Sequence, residues 1–320
     1  MKTTVVIPNY NGKKYLENCL KSLEENTKVP FRLILVDNGS TDGSAREAIA
    51  RHPWIRLISF RENKGFCAAV NEGIRQADTP YVFLLNNDTT VEPGCIEALE
   101  RCMDSDPYIF SVSACMLDMK NPALLDGAGD LYSALGWAYA IGKGRPASRY
   151  RTPRPVFSAC AGAALYRRDV LDQIGLFDEL HFAYLEDVDL GYRARIHGWR
   201  NVYEPAAAVL HAGSAATGSR YNTFKISHSS RNNIYLIYKN MPGLQILLNL
   251  PFLLAGFLLK TLFFVKKGYG KTYLSGLAEG FRLCRTPEGR ARRVRLKRVN
   301  MGNYMKIQAE LWGNMLRRGR

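Results

Sequence analysis

Short apolar runs alternate with helical patterns along residues 3–86. TTVVIP, FRLILVD, WIRLISF and YVFLLN are rich in β-branched or aromatic residues, and each ends at a turn-forming residue. Such runs are expected of strands that are buried on both faces of a sheet. Helices are predicted between them, and in the first, KKYLENCLKSLEEN, one helical stripe contains Leu16, Cys19, Leu20 and Leu23. This alternation predicts an α/β fold with a doubly wound, mainly parallel sheet.

A polar cluster follows each of the four predicted strands. The clusters are residues 8–11 (PNYN), 37–40 (DNGS), 61–65 (RENKG) and 86–88 (NND). Asn and Asp often form turns by hydrogen-bonding their own backbone, so one cluster alone indicates little. In a doubly wound sheet, however, ligands bind beyond the carboxyl ends of the strands. The four clusters together therefore predict the mouth of a binding crevice.

The pattern is less regular in the middle of the chain. Residues 105–160 predict no regular element, and the Gly-, Arg- and Pro-rich stretch from LLDGAGD to RTPRP is typical of an irregular loop. Beyond it, residues 157–175 predict a strand of small residues followed by a helix. Residues 180–199 predict a loop that enters a helix, and residues 201–213 predict a strand that ends at His211.

Residues 244–265, LQILLNLPFLLAGFLLKTLFFV, form the one long apolar segment. The segment has the length of a membrane span, although polar residues, Pro251 and Lys260 interrupt it. A lysine at the centre of a membrane helix costs roughly 2.5–3.5 kcal/mol on insertion scales, but one nearer the end can extend to the interface. Three interpretations stay open: surface-lying or re-entrant helices, a membrane span, and a buried helix or oligomer contact.

The net charge of +15 is concentrated at the C-terminus. Residues 266–320 contain 15 Lys and Arg against three Glu, a balance of +12, which leaves +3 for the remainder. Such a tail suits an anionic partner, either a membrane leaflet or nucleic acid, and the alternative is a solvated, partly disordered tail. Seven cysteines without a C-x-x-C pair, and a start, MKTTVVIPNY, without a long apolar stretch, indicate a reduced, cytoplasmic compartment.

Five motifs occur in a fixed order: VVIPNYNG, LILVDNGSTDGS, ENKGFCAAVNEGI, FLLNNDT and YLEDVDLGYRARIHGW. Together they resemble the inverting family 2 glycosyltransferases of the GT-A fold, especially the bacterial rhamnosyltransferase-like branch. The resemblance implies a GT-A domain over 1–235, with a nucleotide-binding half (1–104) and an acceptor-binding half (105–235). A C-terminal, membrane-associating extension over 236–320 would then comprise the apolar helical segment and the basic tail.

The resemblance implies a site for a nucleoside diphosphate sugar. Asp37 would hydrogen-bond the base, although an isolated Asp at this place can also be a helix cap or an Asx turn. Other residues would line the same pocket or approach the ribose and phosphates: Pro8, Asn9, Asn11, Asn63, Lys64 and Gly65.

The segment NND occupies the place of the family's D-x-D signature. By resemblance, Asp88 would bind Mn²⁺ or Mg²⁺ across the diphosphate, while Asn87, where relatives often carry Asp, would face the ribose. NND therefore carries one negative charge fewer than the D-x-D signature. His211, at a predicted strand end, is where several relatives place a further metal ligand, although a lone His is more often a core or surface residue.

Glu186 and Asp187 match the family's acidic pair. Inverting transfer needs a base on the acceptor side, and the resemblance assigns it to Asp187, with Glu186 helping to hold the acceptor. The alternative is simple capping of the helix that follows. Asp189, the third acid of LEDVDL, ranks below Asp187 but is not excluded by residue type.

The implied activity is transfer of a sugar, with inversion, from a nucleoside diphosphate to a saccharide or lipid-linked saccharide in cell-surface polysaccharide synthesis. Rhamnose from dTDP-rhamnose is the first expectation, and UDP-hexose or UDP-N-acetylhexosamine is the alternative. The enzyme would lie on the inner face of the cell membrane against anionic lipid, and no nucleic-acid partner is expected. A non-catalytic sugar-nucleotide-binding protein is the alternative of another class; a nucleotidyltransferase lacks its Gly-rich signature here.

Overall fold

The computed structural model describes residues 1–213 and 221–317, which contain twelve strands and eleven α-helices. The strands are β1 (Thr3–Asn9), β2 (Phe31–Asn38), β3 (Arg56–Phe60), β4 (Tyr81–Leu85), β5 (Thr89–Val91), β6 (Ile109–Asp118), β7 (Asn121–Gly127), β8 (Asp130–Ser133), β9 (Trp137–Ala140), β10 (Arg154–Val156), β11 (Ala163–Arg167) and β12 (Arg200–His211). The helices are α1 (Leu16–Asn26), α2 (Ser44–Arg51), α3 (Phe66–Gln76), α4 (Cys95–Asp104), α5 (Arg168–Ile174), α6 (Glu186–Ile196), α7 (Thr223–Asn240), α8 (Gly243–Lys266), α9 (Gly270–Leu283), α10 (Pro287–Ala291) and α11 (Met301–Leu316).

One mixed sheet organises the protein, with the strand order β10-β12-β6-β11-β4-β1-β2-β3. β1 lies parallel between β2 and β4, so that Val5 is opposite both Leu33 and Phe83. β3 continues the parallel set beside β2. β11 is antiparallel to β4 and β6, whereas β12 is parallel to β6. The predicted doubly wound parallel sheet is confirmed for the first four strands, and their carboxyl ends share one edge.

Apolar layers cover both faces of this sheet. The stripe predicted on α1 is buried at every position, with Leu16, Cys19, Leu20 and Leu23 all at most 2% exposed. α1 and α4 pack on one face, and α3 and α5 pack on the other. The prediction of burial on both faces is wrong for β3, where Leu57 is 37% exposed. β3 is the last strand of the sheet, and only its Ile58 and Phe60 face packs against a core cluster.

The expectation of an irregular loop in residues 105–160 is wrong. This segment contains β6, which is buried along most of its length, and the shorter strands β7 to β10. β8 and β9 form a separate two-stranded sheet, and β10 pairs with β12. β8, β9 and β10 have only three or four residues each, which is too little periodicity to be recognised from the sequence. Their side chains form part of the site described below.

The basic C-terminal segment forms α9, α10 and α11, which are joined by short links without α-helix, and this order in the described residues up to 317 contradicts the alternative of a partly disordered tail. On α11, Ile307 and Leu311 are at most 1% exposed, in a core cluster that includes Tyr192 of α6. The Leu311 carbonyl also accepts a hydrogen bond from the Ala134 amide at 3.0 Å. α11 therefore completes a hydrophobic core together with α6 and the region of β8.

α8 has most of its polar residues directed towards the protein, together with Leu253, and most of its other apolar residues directed outwards. Gln245 and Asn249 are buried, and Asn249 is hydrogen-bonded to Gln308 and Trp312 of α11. Gly256 lies so close to the chain that an added Cβ would be 2.1 Å from the Leu135 carbonyl oxygen. In residues 1–213 and 221–317, α8 is the one helix long and apolar enough to cross a membrane, and only 17% of its most apolar window is buried. Burial within this chain is thus not the reason for its apolar character.

Candidate active site

A cavity of about 1080 Å³ lies at the carboxyl edge of the parallel strands and extends to the start of α6. Most of the predicted site residues line it: Pro8, Asn9, Asn63, Gly65, Asn87, Asp88, Glu186, Asp187 and His211. Three predicted residues are not part of its lining, namely Asn11, Asp37 and Lys64. The structure therefore brings together the strand-end clusters and the acidic pair, which lie up to 179 residues apart in the sequence.

Asn9, at the end of β1, organises the side of the cavity nearest to β1 and β2. Its side-chain amide donates hydrogen bonds to Asp37 at 3.1 Å and to Ser44 at 2.9 Å, and its carbonyl accepts one from Asn87 at 2.8 Å. Asp37 is 8% exposed and lies behind Asn9. Asn87 is consequently oriented by Asn9, which connects the β1 and β4 ends of the crevice.

Asn11 and Lys64 contact neighbouring loops. Asn11 has a positive φ of 50°, and its side-chain carbonyl accepts a hydrogen bond from the Thr41 amide at 2.9 Å. The Lys64 amide donates to Asn38 at 2.9 Å, while its ammonium lies 5.0 Å from the centre of the Phe60 ring. These contacts shape the loops that follow β1 and β3.

His211 and two carboxylates form a charged cluster beyond the carboxyl end of β4. β5 pairs with β12 antiparallel and places His211 beside the loop that carries Asp88. His211 Nε2 lies 3.3 Å from Asp88, and Nδ1 lies 2.7 Å from Asp126. Burial would lower the pKa of His211, but the hydrogen bonds with Asp126 and Asp88 outweigh it and raise the pKa to about 9. Burial opposes ionisation of Asp126 as well, yet His211 and Lys143 hold the pKa of Asp126 at about 2.

The donor set of this cluster fits a divalent cation. A carboxylate and a neutral imidazole nitrogen are both ligands that Mn²⁺ accepts, so a bound cation would replace the proton that the raised pKa keeps on His211. The 3.3 Å between Asp88 and His211 suits two atoms that share one ion. Asp126, on the other ring nitrogen, is placed as a carboxylate that orients a metal-bound His. Asp126 was not anticipated from the sequence, because it lies in the segment for which no element was predicted.

The acidic pair lies at the first turn of α6, on the opposite side of the cavity. Asp187 accepts a hydrogen bond from the Val188 amide at 2.7 Å within the first turn, whereas the N-cap residue is Leu185 and no side chain caps the helix. Burial raises the pKa of Asp187 to about 6, even though backbone hydrogen bonds act in the opposite direction. Burial, followed by the charge of Asp187, raises the pKa of Glu186 well above its usual range. A carboxylate with a pKa near neutrality is suited to proton transfer.

Asp130 is a further carboxyl group at this end of the cavity, which sequence reasoning did not identify. It begins β8, and its side chain, Asp187 and Cys160 offer polar atoms within 4.8 Å of one another. Burial and the charge of Asp187 raise the pKa of Asp130 well above its usual range. The neighbouring Asp130 in turn lowers the pKa of Asp187, which favours the ionised form of Asp187.

Asp189, the third acid of the motif, is not part of the cavity lining. It is 0% exposed and forms ion pairs with Arg193 at 3.0 Å and Lys239 at 2.8 Å. Burial disfavours its charge, but Lys239 and Arg193 lower the pKa of Asp189 far below its usual range. Lys239 also pairs with buried Asp178 at 2.7 Å. Asp189 thus belongs to a buried ionic network beneath α6.

The loop before α6 has an unusual backbone. Phe182, Tyr184 and Leu185 have positive φ values of 62°, 72° and 67°, a region that costs of order 1–3 kcal/mol per non-glycine residue. The side-chain amide of Asn232, on α7, donates to the carbonyls of residues 181, 183 and 184 at 2.7–2.9 Å. Arg231 donates to the Leu180 carbonyl at 2.8 Å. α7 therefore holds the strained loop and fixes the first turn of α6.

Comparisons with known proteins agree with this geometry. The model of glycosyl transferase family 2 matches residues 4–175. The N-acetylglucosaminyl-diphospho-decaprenol L-rhamnosyltransferase of Mycobacterium tuberculosis is 32% identical over 256 residues, which is 72% of this chain and 83% of the relative.

Solved structures show the same architecture. The mannosyltransferase PcManGT from Pyrobaculum calidifontis, in complex with GDP-Man and Mn²⁺, has a TM-score of 0.54 at 17% identity, and the match covers 97% of this chain and 84% of that chain. TarS of S. aureus has a TM-score of 0.59 at 16% identity, with 97% and 54% covered. The expected GT-A fold is confirmed. Since the family model extends over more than half of the length and the relative is similar over most of both chains, the chain belongs to glycosyltransferase family 2.

Proposed function

We propose that this glycosyltransferase acts with inversion and that Asp187 is its base. The acceptor oxygen attacks the anomeric carbon from the face opposite the nucleoside diphosphate, the bond to the diphosphate breaks, and the acceptor proton passes to Asp187. The observation that carries the proposal is a single cavity that joins Asn9, Asn87 and Asp88 to a partly buried carboxylate with a pKa near 6. In this proposal residues 1–104 bind the nucleotide and residues 105–235 bind the acceptor.

Asp88 and His211 are the proposed ligands of Mn²⁺ or Mg²⁺. A bound cation would neutralise the charge that develops on the leaving diphosphate. Lys143 lines the same cavity, pairs with Asp126 and adds positive charge there. Lys64 does not line the cavity. Asn9 and Asn87 would hold the ribose side of the donor, and Asn63 and Gly65 would approach it from the loop after β3.

The proposed donor is dTDP-rhamnose and the proposed acceptor is a lipid-linked N-acetylglucosamine. The support is the similarity to the mycobacterial rhamnosyltransferase, whose name gives both the sugar and a diphospho-decaprenol acceptor. We expect transfer from dTDP-rhamnose to polyprenyl diphospho-N-acetylglucosamine, loss of transfer in EDTA, restoration by Mn²⁺ or Mg²⁺, and an inverted anomeric centre by NMR.

The same assay should be run with UDP-glucose, UDP-galactose and UDP-N-acetylglucosamine as donors. Preference for one of them would change the proposed donor but not the proposed type of reaction. Donor binding in a thermal-shift experiment, where a ligand at 100 times its dissociation constant adds about 2.7 kcal/mol of stability, without transfer to any acceptor would contradict the proposal. That result would instead support a non-catalytic sugar-nucleotide-binding protein.

The membrane surface is the proposed partner of α8, with the enzyme on the cytoplasmic face. Leu258, Leu259 and Leu262 are 52–60% exposed on this helix, and the basic segment that follows would add about 1 kcal/mol per residue near anionic lipid. Because Gln245, Asn249 and Gly256 hold the opposite side of α8 against the protein, α8 would lie along the membrane without crossing it alone.

We expect the full-length protein to sediment with anionic vesicles and to resist release by salt in part, because leucines as well as charges make the contact. Leu262→Glu should weaken vesicle binding by about tenfold or more, since a leucine side chain contributes roughly 1.5–3 kcal/mol on burial. Leu57→Glu, on the exposed edge strand β3, is the control and should bind as the wild type does. If the wild-type protein ignores both anionic and neutral vesicles, α8 is an oligomer contact and the membrane proposal is wrong.

A further inference from the structure

A second cavity, of about 260 Å³, lies between α7, α8 and α9. Its lining is aromatic and basic, and includes Tyr184, Tyr221, Lys225, Lys260, Phe264 and Tyr273. Tyr184, Lys225 and Ser229 also line the large cavity, so the two spaces share a wall. The second cavity thus lies between the proposed acceptor side of the active site and the apolar helix α8.

Lys260 is unusual for its place in the chain. It is the one ionisable residue of α8 before Lys266, within a run of leucines and phenylalanines. Unlike its exposed neighbours Leu258 and Leu259, it is partly buried, and its ammonium lies 5.7 Å from the centre of the Trp137 ring. Because Lys260 lines the second cavity, its positive charge can attract an anionic ligand there.

Tyr273 is a second, independent indication of a ligand. It is 3% exposed and lines the cavity, and its buried hydroxyl has no hydrogen-bond partner among the described residues. Buried hydroxyls in folded proteins are nearly always hydrogen-bonded, so an unpartnered one in a cavity is a candidate donor to a ligand. Two ammonium groups and a phenol make a set of donors, and such a set suits a phosphate or diphosphate.

We propose that the second cavity binds the diphosphate of a polyprenyl diphosphate-linked acceptor, with Lys225, Lys260 and the Tyr273 hydroxyl as donors. The acceptor sugar then extends into the large cavity towards Asp187, and the isoprenoid chain leaves along the apolar outer surface of α8. This inference rests on the lipid-linked acceptor proposed above. It adds a diphosphate site that is separate from the donor diphosphate at Asp88 and His211.

The first test compares Lys260→Met with Lys266→Met, which removes the same charge from the exposed end of the same helix. With polyprenyl diphospho-N-acetylglucosamine as acceptor, Lys260→Met should raise the acceptor KM about tenfold to a hundredfold, the range for loss of a charge-assisted hydrogen bond. The donor KM, and transfer to an alkyl N-acetylglucosaminide without a diphosphate, should stay within about twofold. Lys260→Arg should recover part of the loss, and Lys266→Met should match the wild type.

Tyr273→Phe is the second variant, and it removes only the unpartnered hydroxyl. It should keep the wild-type melting temperature and raise the KM for the diphosphate-linked acceptor several-fold, without an effect on the alkyl glycoside. An unchanged KM in Lys260→Met and Tyr273→Phe, or equal increases for both acceptors, would overturn the diphosphate site.

Farnesyl diphosphate separates failure of this site from failure of the proposed acceptor. It carries a diphosphate and an isoprenoid chain but no sugar, and its binding is measured by calorimetry with the donor site saturated by dTDP. Binding to the wild type that is lost in Lys260→Met supports the site even if N-acetylglucosamine is not the acceptor sugar. No binding to the wild type overturns the site, whatever sugar is transferred.

Discussion

Asp187→Asn is expected to lower turnover by about a hundred- to ten-thousandfold, the usual contribution of a general base. Asparagine has nearly the same shape, and its carbonyl can still accept the hydrogen bond from the Val188 amide, so the first turn of α6 should remain intact. Donor affinity should change by no more than a few-fold, because Asn9, Asn87 and Asp88 lie at the other side of the cavity. The measurement is steady-state transfer together with donor binding by calorimetry.

The pH profile of the wild-type enzyme is a second readout of the same role. Burial raises the pKa of Asp187 to about 6, and a base acts only in its ionised form. The value of kcat/KM should therefore be constant above that pKa and fall as the pH decreases through about 6. Asp172→Asn, on the exposed side of α5, is the matched control and should keep both turnover and profile. Wild-type turnover in Asp187→Asn would show that another group removes the proton.

Lys239→Met is expected to be the most destabilising of the single substitutions considered, by about 3–5 kcal/mol, because it leaves buried carboxylates without their shared cation. Lys239 is 5% exposed and lies within 2.8 Å of both Asp178 and Asp189. Methionine fills a similar volume but contributes no charge. Urea denaturation monitored by fluorescence measures the loss, and Lys271→Met, exposed on α9, is the matched control.

A combined variant shows whether unpaired charge is the cause. Lys239→Met with Asp178→Asn should be less destabilised than the sum of the two single changes, because each removes part of one ionic network. A stability of Lys239→Met within about 1 kcal/mol of the wild type would contradict this account. A loss of stability that small is typical of an isolated, solvent-exposed ion pair.

The parts of the site that could be predicted from the sequence are those that follow a clear strand or begin a clear helix. Asp88 comes directly after the buried run of β4, and Asp187 comes at the start of α6. His211 ends β12. In each case the local pattern predicts the element, and the topology of a parallel sheet predicts that the ends meet. The cavity confirms that these ends are brought together.

Two kinds of residue could not be predicted. Asp126 lies near the end of β7, at the start of the Gly-, Arg- and Pro-rich stretch, where no strand is predicted, and Asp130 begins β8, which has only four residues. Neither carboxyl group could therefore be placed from the sequence. Asp189 could not be told from Asp187 by type, because its partner Lys239 is 50 residues away and contributes only through the folded structure. The outward direction of the leucines of α8 was likewise undetermined, since a helix that is apolar on most sides has no distinct face in its sequence.

The contacts of Asn232 with the loop before α6 have a consequence for how this enzyme can be recombined with its relatives. α7 packs extensively against α9, and the same α7 holds the carbonyls of residues 181, 183 and 184 just ahead of Asp187. The C-terminal helices therefore cannot be exchanged between relatives without affecting the loop that positions Asp187. A chimera joined between α6 and α7 would combine the proposed catalytic carboxylate of one enzyme with the α7 of another, which need not carry the contacts that Asn232 makes. A junction ahead of residue 180 would transfer the loop, the carboxylate and α7 together.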